Sequence, residues 1–325
     1  MKLTRLVLKM SAVGLALGVG SARAQATYPV KPVRVVVAFA AGGFADNTAR
    51  PVALRLGERL GQPFVVDNRG GAGGNIAARS VAEASPDGYT LLVHTAASTI
   101  NVSLYKDAGF DMEKDLTPVA MTGSSPGLFT VSVSHPANNL RDLLQSVKAQ
   151  GKPLAFATAG VGTSSHLAAE YLFVTLAGIP ANHIPFKGGA PATTAVLGGQ
   201  VELLSASLPG PLPFVKQGKM KALAVSSLNR VSDLPNVPTV VESGFPGFEE
   251  RSWVAFFAPA KTPSSIVQRL NEEINRVLAI PEIRANLTSQ GTEITPLSQA
   301  DFAAKLAAEI AMWRKIVTAT GVKPE

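Results

Sequence analysis

The sequence predicts an α/β protein built as two lobes. Three observations point there: apolar β-branched runs alternate with helical patterns, that alternation comes in two similar rounds, and glycine-rich turns join several strands to the helices after them. At 325 residues the chain is longer than one hydrophobic core commonly serves, which favours two units. Its 46% apolar and 16% charged residues are globular proportions and argue against a disordered tail or a coiled coil.

The first segment stands apart from the fold. Lys2, Arg5 and Lys9 precede an apolar run from Met10 to Gly20, and Ala22-Arg23-Ala24 offers small residues at cleavage spacing, so residues 1–24 read as a secretory signal peptide. The apolar run falls short of the roughly 20 residues a spanning helix needs. Removing it takes away four positive charges and no negative one, so the net charge drops from +7 to +3. No Lys/Arg cluster with interleaved aromatics remains, which leaves nucleic-acid binding without support. Cysteine is absent, so disulfides, thiol catalysis and cysteine metal sites are excluded, and His94, His135, His166 and His183 are scattered without ligand spacing. Export without disulfides suits a bacterial periplasm.

The first round opens with Val33 to Phe39, a continuous β-branched run expected of a strand buried on both faces. A helix is expected from Asn47 to Leu60, with Asp46 as its cap; Pro51 is in tension with it, because it lacks the N–H an interior position donates. Strand Phe64 to Asp67, a glycine loop from Asn68 to Gly74, helix Asn75 to Ala84, turn Ser85-Pro86-Asp87-Gly88 and strand Tyr89 to His94 follow. After an alternating stretch from Leu128 to Ser134, the second round reads as helix Asn139 to Gln150, strand Leu154 to Thr158 and helix Ser164 to Ala177. Strand His183 to Phe186, helix Ala190 to Leu197 and strands Val201 to Ser205 and Ala222 to Ser226 complete it. Trp253 to Ala258 then returns the chain to the first lobe, which helices Ser264 to Leu278 and Gln299 to Thr318 close.

Ligands of open parallel sheets bind outside the carboxyl ends of the strands, where helix N-termini present N–H groups. Three glycine-rich strand-to-helix loops qualify: Ala41 to Asp46, Arg69 to Asn75 and Thr158 to Ser165. The second spells neither G-x-G-x-x-G nor G-x-x-x-x-G-K-[ST], which disfavours a dinucleotide or a nucleoside triphosphate. The third adds hydroxyls, and His166 there is either a ligand contact or a histidine satisfied by its neighbours. Gly123-Ser124-Ser125-Pro126-Gly127 matches G-x-S-x-G by letter only, because Pro126 lacks the N–H an oxyanion hole would take from that position, and a strand follows where a helix is required. With no acid/base pair among these loops, their uncharged donors and small side chains describe a pocket that binds an anion without transforming it.

Over nearly the whole mature chain, ordered motifs resemble the Bug proteins, periplasmic solute receptors of tripartite tricarboxylate transporters. The likeness runs from Tyr28-Pro29-Val30-Lys31-Pro32 and Gly42-Gly43-x-x-Asp46-x-x-Ala49-Arg50-Pro51 to Asp67-Asn68-Arg69-x-Gly71-Ala72-Gly73-Gly74-Asn75-Ile76 and Pro86-Asp87-Gly88-Tyr89. It continues through Gly160-x-Gly162-Thr163-Ser164-Ser165-His166, Pro185-Phe186-Lys187-Gly188-Gly189-Ala190-Pro191-Ala192, Leu234-Pro235-Asn236-Val237-Pro238-Thr239 and Ala258-Pro259-Ala260-x-Thr262-Pro263. The resemblance implies the two-lobed periplasmic binding protein fold, each lobe a mostly parallel sheet flanked by helices, with lobe 1 at 25–124 plus 250–325 and lobe 2 at 125–249. It implies a monomer that binds a small organic carboxylate in the interlobe cleft through backbone amides and waters, uses no cofactor, and serves inner-membrane permease subunits.

Carried over residue by residue, the first loop gives Phe39, Gly42, Gly43, Phe44, Ala45 and Asp46 as ligand-binding positions. The third strand's end gives Thr95 and Ala97, the facing loop gives Thr158, Gly160, Gly162, Thr163, Ser164 and His166, and the second lobe adds Ala206. Phe44 and Ala45 are expected to tune ligand choice. Family members often carry Pro where this chain has Ala38, Ala40 and Gly70, which should loosen loops here. Many carry Asp at the position of Ala206, and its absence would disfavour amino acids. Two other readings stay open: a periplasmic sensor passing its ligand signal to a membrane partner, and an enzyme acting on organic acids.

Overall fold

Val33, Val35, Val36 and Val37 are fully buried, as a strand covered by helices on both faces requires. They form β1 (Val33–Val37), which pairs in parallel with β2 (Phe64–Asn68) and β3 (Thr90–Thr95). The computed structural model describes residues 28–105 and 107–320, so the segment read as a signal peptide lies outside the described residues.

Helix α1 (Phe44–Leu60) follows β1 and ends at Gly61, whose left-handed φ of 71° closes it. The helix starts three residues before the expected Asn47, and its N-cap is Gly43 rather than Asp46. Pro51 is inside it. Burial of Ala49, Val52, Ala53 and Leu56 against the sheet, at about 1.5–3 kcal/mol for a large aliphatic side chain, offsets the backbone donor that proline removes. Next come α2 (Asn75–Ala82), α3 (Ala97–Leu104) and the short α4 (Met112–Asp115).

The long strand β4 (Leu116–Ser132) joins the two sheets. Residues Leu116 to Pro126 pair antiparallel with β9 (Arg251–Pro259), which also pairs with β3; residues Gly127 to Ser132 pair with β7 (Leu203–Ser207) and β8 (Met220–Val225). The crossover in β4 therefore lies between Pro126 and Gly127. The G-x-S-x-G letters fall inside this strand, where buried Ser125 donates to the Gly291 carbonyl at 2.8 Å, so no nucleophile elbow exists there.

In the second lobe β5 (Leu154–Thr158) pairs in parallel with β6 (Ala181–Pro185) and β7. Around them pack α5 (Leu140–Gln150), α6 (Ser164–Glu170), α7 (Gly189–Leu197) and α8 (Leu212–Lys216). The helix expected from Ser164 to Ala177 changes pitch at Tyr171, where a π-helical segment runs to Leu176. Helices α9 (Ser264–Leu278), α10 (Pro281–Ser289) and α11 (Gln299–Thr320) return to the first lobe. Sheet order is β2-β1-β3-β9-β4-β7-β5-β6, with β8 on β4. Of the mostly parallel sheet expected in each lobe, the structure has a parallel triplet, β2-β1-β3 in one and β6-β5-β7 in the other, and the crossing strands add antiparallel pairs that make each sheet mixed. One hydrophobic cluster gathers residues from Val33 to Met121 with Trp253 to Ile310; three others fall between Leu128 and Phe248.

Candidate functional site

The cleft lies where strands of both lobes end. From the first lobe it is lined by Phe39, Gly43, Phe44 and Ala45 after β1 and by Thr95 at the end of β3. The second lobe contributes Ala159, Thr163, Ser164 and Ser165 after β5, Gly189 at the start of α7, Ala206 and Ser207 at the end of β7 and Gly210 beyond it, while Ser252 comes from the crossing strand β9. The space is about 480 Å³, its solvent-open mouth included.

Three helix starts meet in this lining. Gly43 is the N-cap of α1 and Phe44 and Ala45 are its first residues; Thr163 is the N-cap of α6 and Ser164 and Ser165 follow; Gly189 begins α7. The first N–H groups of a helix have no partner within it, and its dipole places partial positive charge at that end. Neither Gly43 nor Gly188 caps with a side chain, so α1 and α7 leave those groups to whatever enters the cleft. The lining contains hydroxyls but no Lys, Arg, His, Asp or Glu. Positive potential at this site therefore comes from backbone.

Eight expected positions line the cleft: Phe39, Gly43, Phe44, Ala45, Thr95, Thr163, Ser164 and Ala206. The other seven, Gly42, Asp46, Ala97, Thr158, Gly160, Gly162 and His166, are not among its lining residues. Thr95 uses its hydroxyl to accept from the Ala97 N–H at 3.3 Å, which places Ala97 in the buried start of α3. Thr158 holds His183 through a 2.7 Å contact between Oγ1 and Nε2, and accepts from the Gly160 N–H at 3.1 Å. His166 accepts from the Gly162 N–H at Nδ1 and stacks on His183 with ring centroids 3.9 Å apart.

Asp46, expected as a helix cap, instead sits in the first turn of α1 and pins the loop in front of it. Its carboxylate accepts from the Gly42 N–H at 3.0 Å, from Asn68 at 3.0 Å and from Arg50 at 2.6 Å. Burial opposes ionisation of Asp46, but the hydrogen bonds from Arg50, Gly42 and Asn68 outweigh it and hold the carboxyl below its ordinary range. Asp46→Ala is expected to cost about 2 kcal/mol in urea unfolding, because it leaves the Gly42 N–H and one amide hydrogen of Asn68 without their acceptor, the Asn68 bond to the Phe39 carbonyl remaining. The half-exposed Arg50 adds little to that loss. A midpoint equal to wild type would show that the loop holds its shape without Asp46.

The histidines set a pH limit on this scaffold. Burial pushes His94 down to about 4, His166 to about 4 and His183, also repelled by His166, to about 3. Their folded values lie below the ordinary 6.5, so as pH falls the unfolded chain takes up protons first and stability declines from about 6.5 down towards 4. Each histidine costs about 1.4 kcal/mol per pH unit in that window, so their share of roughly 3–4 kcal/mol should vanish between pH 7.5 and 5.5, offset in part by Glu250, whose pKa burial raises and which favours the fold as pH falls. Denaturation midpoints at those two pH values check this; equal midpoints would contradict it.

Glycines decide how near the lobes come. The Ala40 N–H donates to the Lys187 carbonyl at 3.0 Å, joining the loops directly. Gly43 and Gly189 lie 4.0 Å apart, measured from the Gly43 Cα to the position a Gly189 Cβ would take. A Cβ at Gly73 would overlap the Val161 carbonyl, and one at Gly162 would overlap Asn101 of α3. The loop from Arg69 to Asn75 thus owes its glycines to this seam and to tight packing, since none of its residues lines the cleft.

Ser165, Ala159, Gly189, Ser207, Gly210 and Ser252 line the cleft without having been singled out. Ser165 and Ala159 belong to the glycine loop after β5, Gly189 to the motif at 185–192 after β6, and Ser207 and Gly210 lie close to Ala206 in sequence. Ser252 had no local signal, because only the return of β9 across the lobes brings it there.

Comparison with known proteins places this architecture. Residues 48–322 match the tripartite tricarboxylate transporter family receptor, TctC. The structure of periplasmic binding protein BugD is 36% identical, with a TM-score of 0.87 over 92% of this chain and 100% of that one. Rpa4515 of R. palustris, solved with adipate, is 35% identical with a TM-score of 0.87, covering 92% and 100%. MatC from Rhodopseudomonas palustris, with bound malate, is 33% identical with a TM-score of 0.83, covering 89% and 100%. A receptor-family match over most of the chain, on a two-lobed fold shared with periplasmic binding proteins, makes this chain a member of the tripartite tricarboxylate transporter receptor family.

Proposed function

We propose that the chain captures a small organic carboxylate in the periplasm and hands it to the permease subunits of a tripartite tricarboxylate transporter. The single observation that carries the carboxylate reading is the meeting of the α1, α6 and α7 N-termini in a lining without cationic side chains. Backbone N–H groups near Phe44 and Ala45 on one side and Ser164 and Ser165 on the other hold the anion, with water completing its shell. The adipate and malate bound by two relatives are of this chemical class. Phe39, Phe44, Ala45 and Ala206 supply apolar wall against the carbon skeleton.

The working parts are lobe 1, residues 25–124 plus 250–325, and lobe 2, residues 125–249, acting as a monomer. The division of hydrophobic clusters on either side of the β4 crossover supports it. Each lobe contributes donors to one anion, so ligand favours the closed arrangement by its differential affinity. The chain binds and releases its solute unchanged.

A thermal-shift screen of mono-, di- and tricarboxylates, aromatic acids, amino acids and amines tests this. A carboxylate at about a hundred times its dissociation constant should add roughly 2.7 kcal/mol. Stabilisation by amines and by no carboxylate would overturn the reading, and consumption of a bound acid on long incubation would replace the receptor by an enzyme.

A further inference from the structure

One ionisable group stands at the hinge, close to the cleft, and the clamp described above does not use it. Glu250 directly precedes β9, whose Arg251 pairs with Pro126 at the β4 crossover, while its own N–H donates to the Ser226 carbonyl at 3.1 Å. Its carboxyl turns inward against Gly127, where a Cβ would overlap Oε2, and interacts with the cleft-lining Ser164. Oε1 is buried and has no hydrogen-bond partner of good geometry among the described residues. A carboxylate ion buried in this way costs far more than a carboxylic acid.

Hydrogen counting around Ser226 gives the same answer. Its hydroxyl accepts from the Gly127 N–H at 2.6 Å, and lies 2.6 Å from the Glu250 carbonyl oxygen and 3.1 Å from Glu250 Oε2. One hydroxyl proton serves one acceptor well at a time, and the nearer backbone oxygen takes it. The Oε2 contact is then favourable when the carboxyl itself brings a proton; without one, two oxygen lone pairs face each other. Burial raises the Glu250 pKa against the opposing pull of Ser164, Ser226 and Gly127. The charged group that also acts on it is Arg251, whose guanidinium is shared with Glu293 and reaches Ser124. On the Ser164 helix, His166 is kept neutral by burial near pH 7, and Glu170 lies beyond it at 3.9 Å.

Resting on the carboxylate reading above, we infer that Glu250 is a specificity-determining residue, which must hold a proton for an anion to be accepted at Ser164. A ligand carboxylate at Ser164 and an ionised Glu250 behind it would be like charges sharing one desolvated corner. With its proton, Glu250 leaves the Ser164 hydroxyl and the α6 amides to the anion. Where Glu250 is ionised in the free protein, binding draws in one proton, which ends on its carboxyl.

The test uses adipate, malate and benzoate as probes, titrated by calorimetry into the full mature chain from pH 6.5 to 9, where all three acids are ionised. For wild type, affinity should fall with rising pH, approaching tenfold per unit, and heats in buffers of different ionisation enthalpy should report uptake of about one proton in that range. Glu250→Gln, which mimics the protonated form, should flatten the fall and abolish the uptake. Parallel profiles for the two proteins, or no proton uptake by wild type at any pH in the range, would overturn the inference; the wild-type measurement decides even if the variant fails to fold. Binding of the acids with parallel profiles removes this inference alone, whereas binding of none of them removes the carboxylate reading with it.

Discussion

Gly43→Leu is expected to lose carboxylate binding by at least about 100-fold, equivalent to roughly 2.7 kcal/mol, while the protein stays folded. Gly43 is the N-cap of α1 with φ of −87°, a conformation leucine adopts without strain, so the helix itself survives. The side chain has nowhere to go. Its Cβ would stand 3.4 Å from the Gly189 nitrogen and 3.6 Å from the Ala40 carbonyl, and its branched end would enter the cleft or part the lobes. Either outcome takes the α1 and α7 amides out of reach of a shared anion. Equilibrium titration with the best acid of the screen, alongside circular dichroism, checks the result; wild-type affinity would show that the first loop is not part of the site.

Gly162→Ala should weaken binding by about 10- to 100-fold through closure alone, since a competent state reached less often lowers apparent affinity in proportion. Gly162 does not line the cleft, so no ligand contact is altered. It has a φ of 76°, where alanine is strained by about 1–2 kcal/mol, and its Cβ would overlap Asn101 in the opposite lobe. Strain is felt whether the lobes are together or apart, but the overlap arises only when they meet. At a ligand concentration near the wild-type dissociation constant, small-angle scattering should therefore report a larger radius of gyration for the variant than for wild type, a difference that closes as ligand saturates both. Identical scattering and affinity would mean that the contact with Asn101 plays no part in closing.

The fold was legible where local pattern and burial agree. β1, β5 and α9 follow from continuous or 3.6-periodic apolar runs, and the observed bounds of β5 and α9 coincide with those expected. α3 was not legible, because Ala97 to Leu104 is uncharged, rich in β-branched Thr99, Ile100 and Val102, and buried on most sides, so no polar face marks a period. Helix α1 was seen, yet its start was displaced, because Asp46 resembles a cap in sequence and acts instead as a brace for Gly42.

The candidate site was legible in its loops and less so in their meaning. Glycines at 42, 43, 160 and 162 marked strand-to-helix turns, but a single chain read in order gives no sign that Gly162 would face Asn101 or that Gly70 would lie under Lys187. Those contacts depend on where β4 and β9 cross. Ser252 and Glu250 depend on the same crossing, and a lone serine or glutamate ahead of an apolar strand has no local pattern to distinguish it.

The most direct measurement of the central claim is a crystal structure of the mature chain with the carboxylate that stabilises it most. One carboxylate should lie between the starts of α1 and α6, its oxygens about 2.7–3.2 Å from backbone N–H groups of the two loops, from the Ser164 hydroxyl, or from bridging waters. No Lys or Arg should touch it. A carboxylate paired with a cationic side chain, or bound outside the cleft between Gly43 and Ser164, would contradict the account.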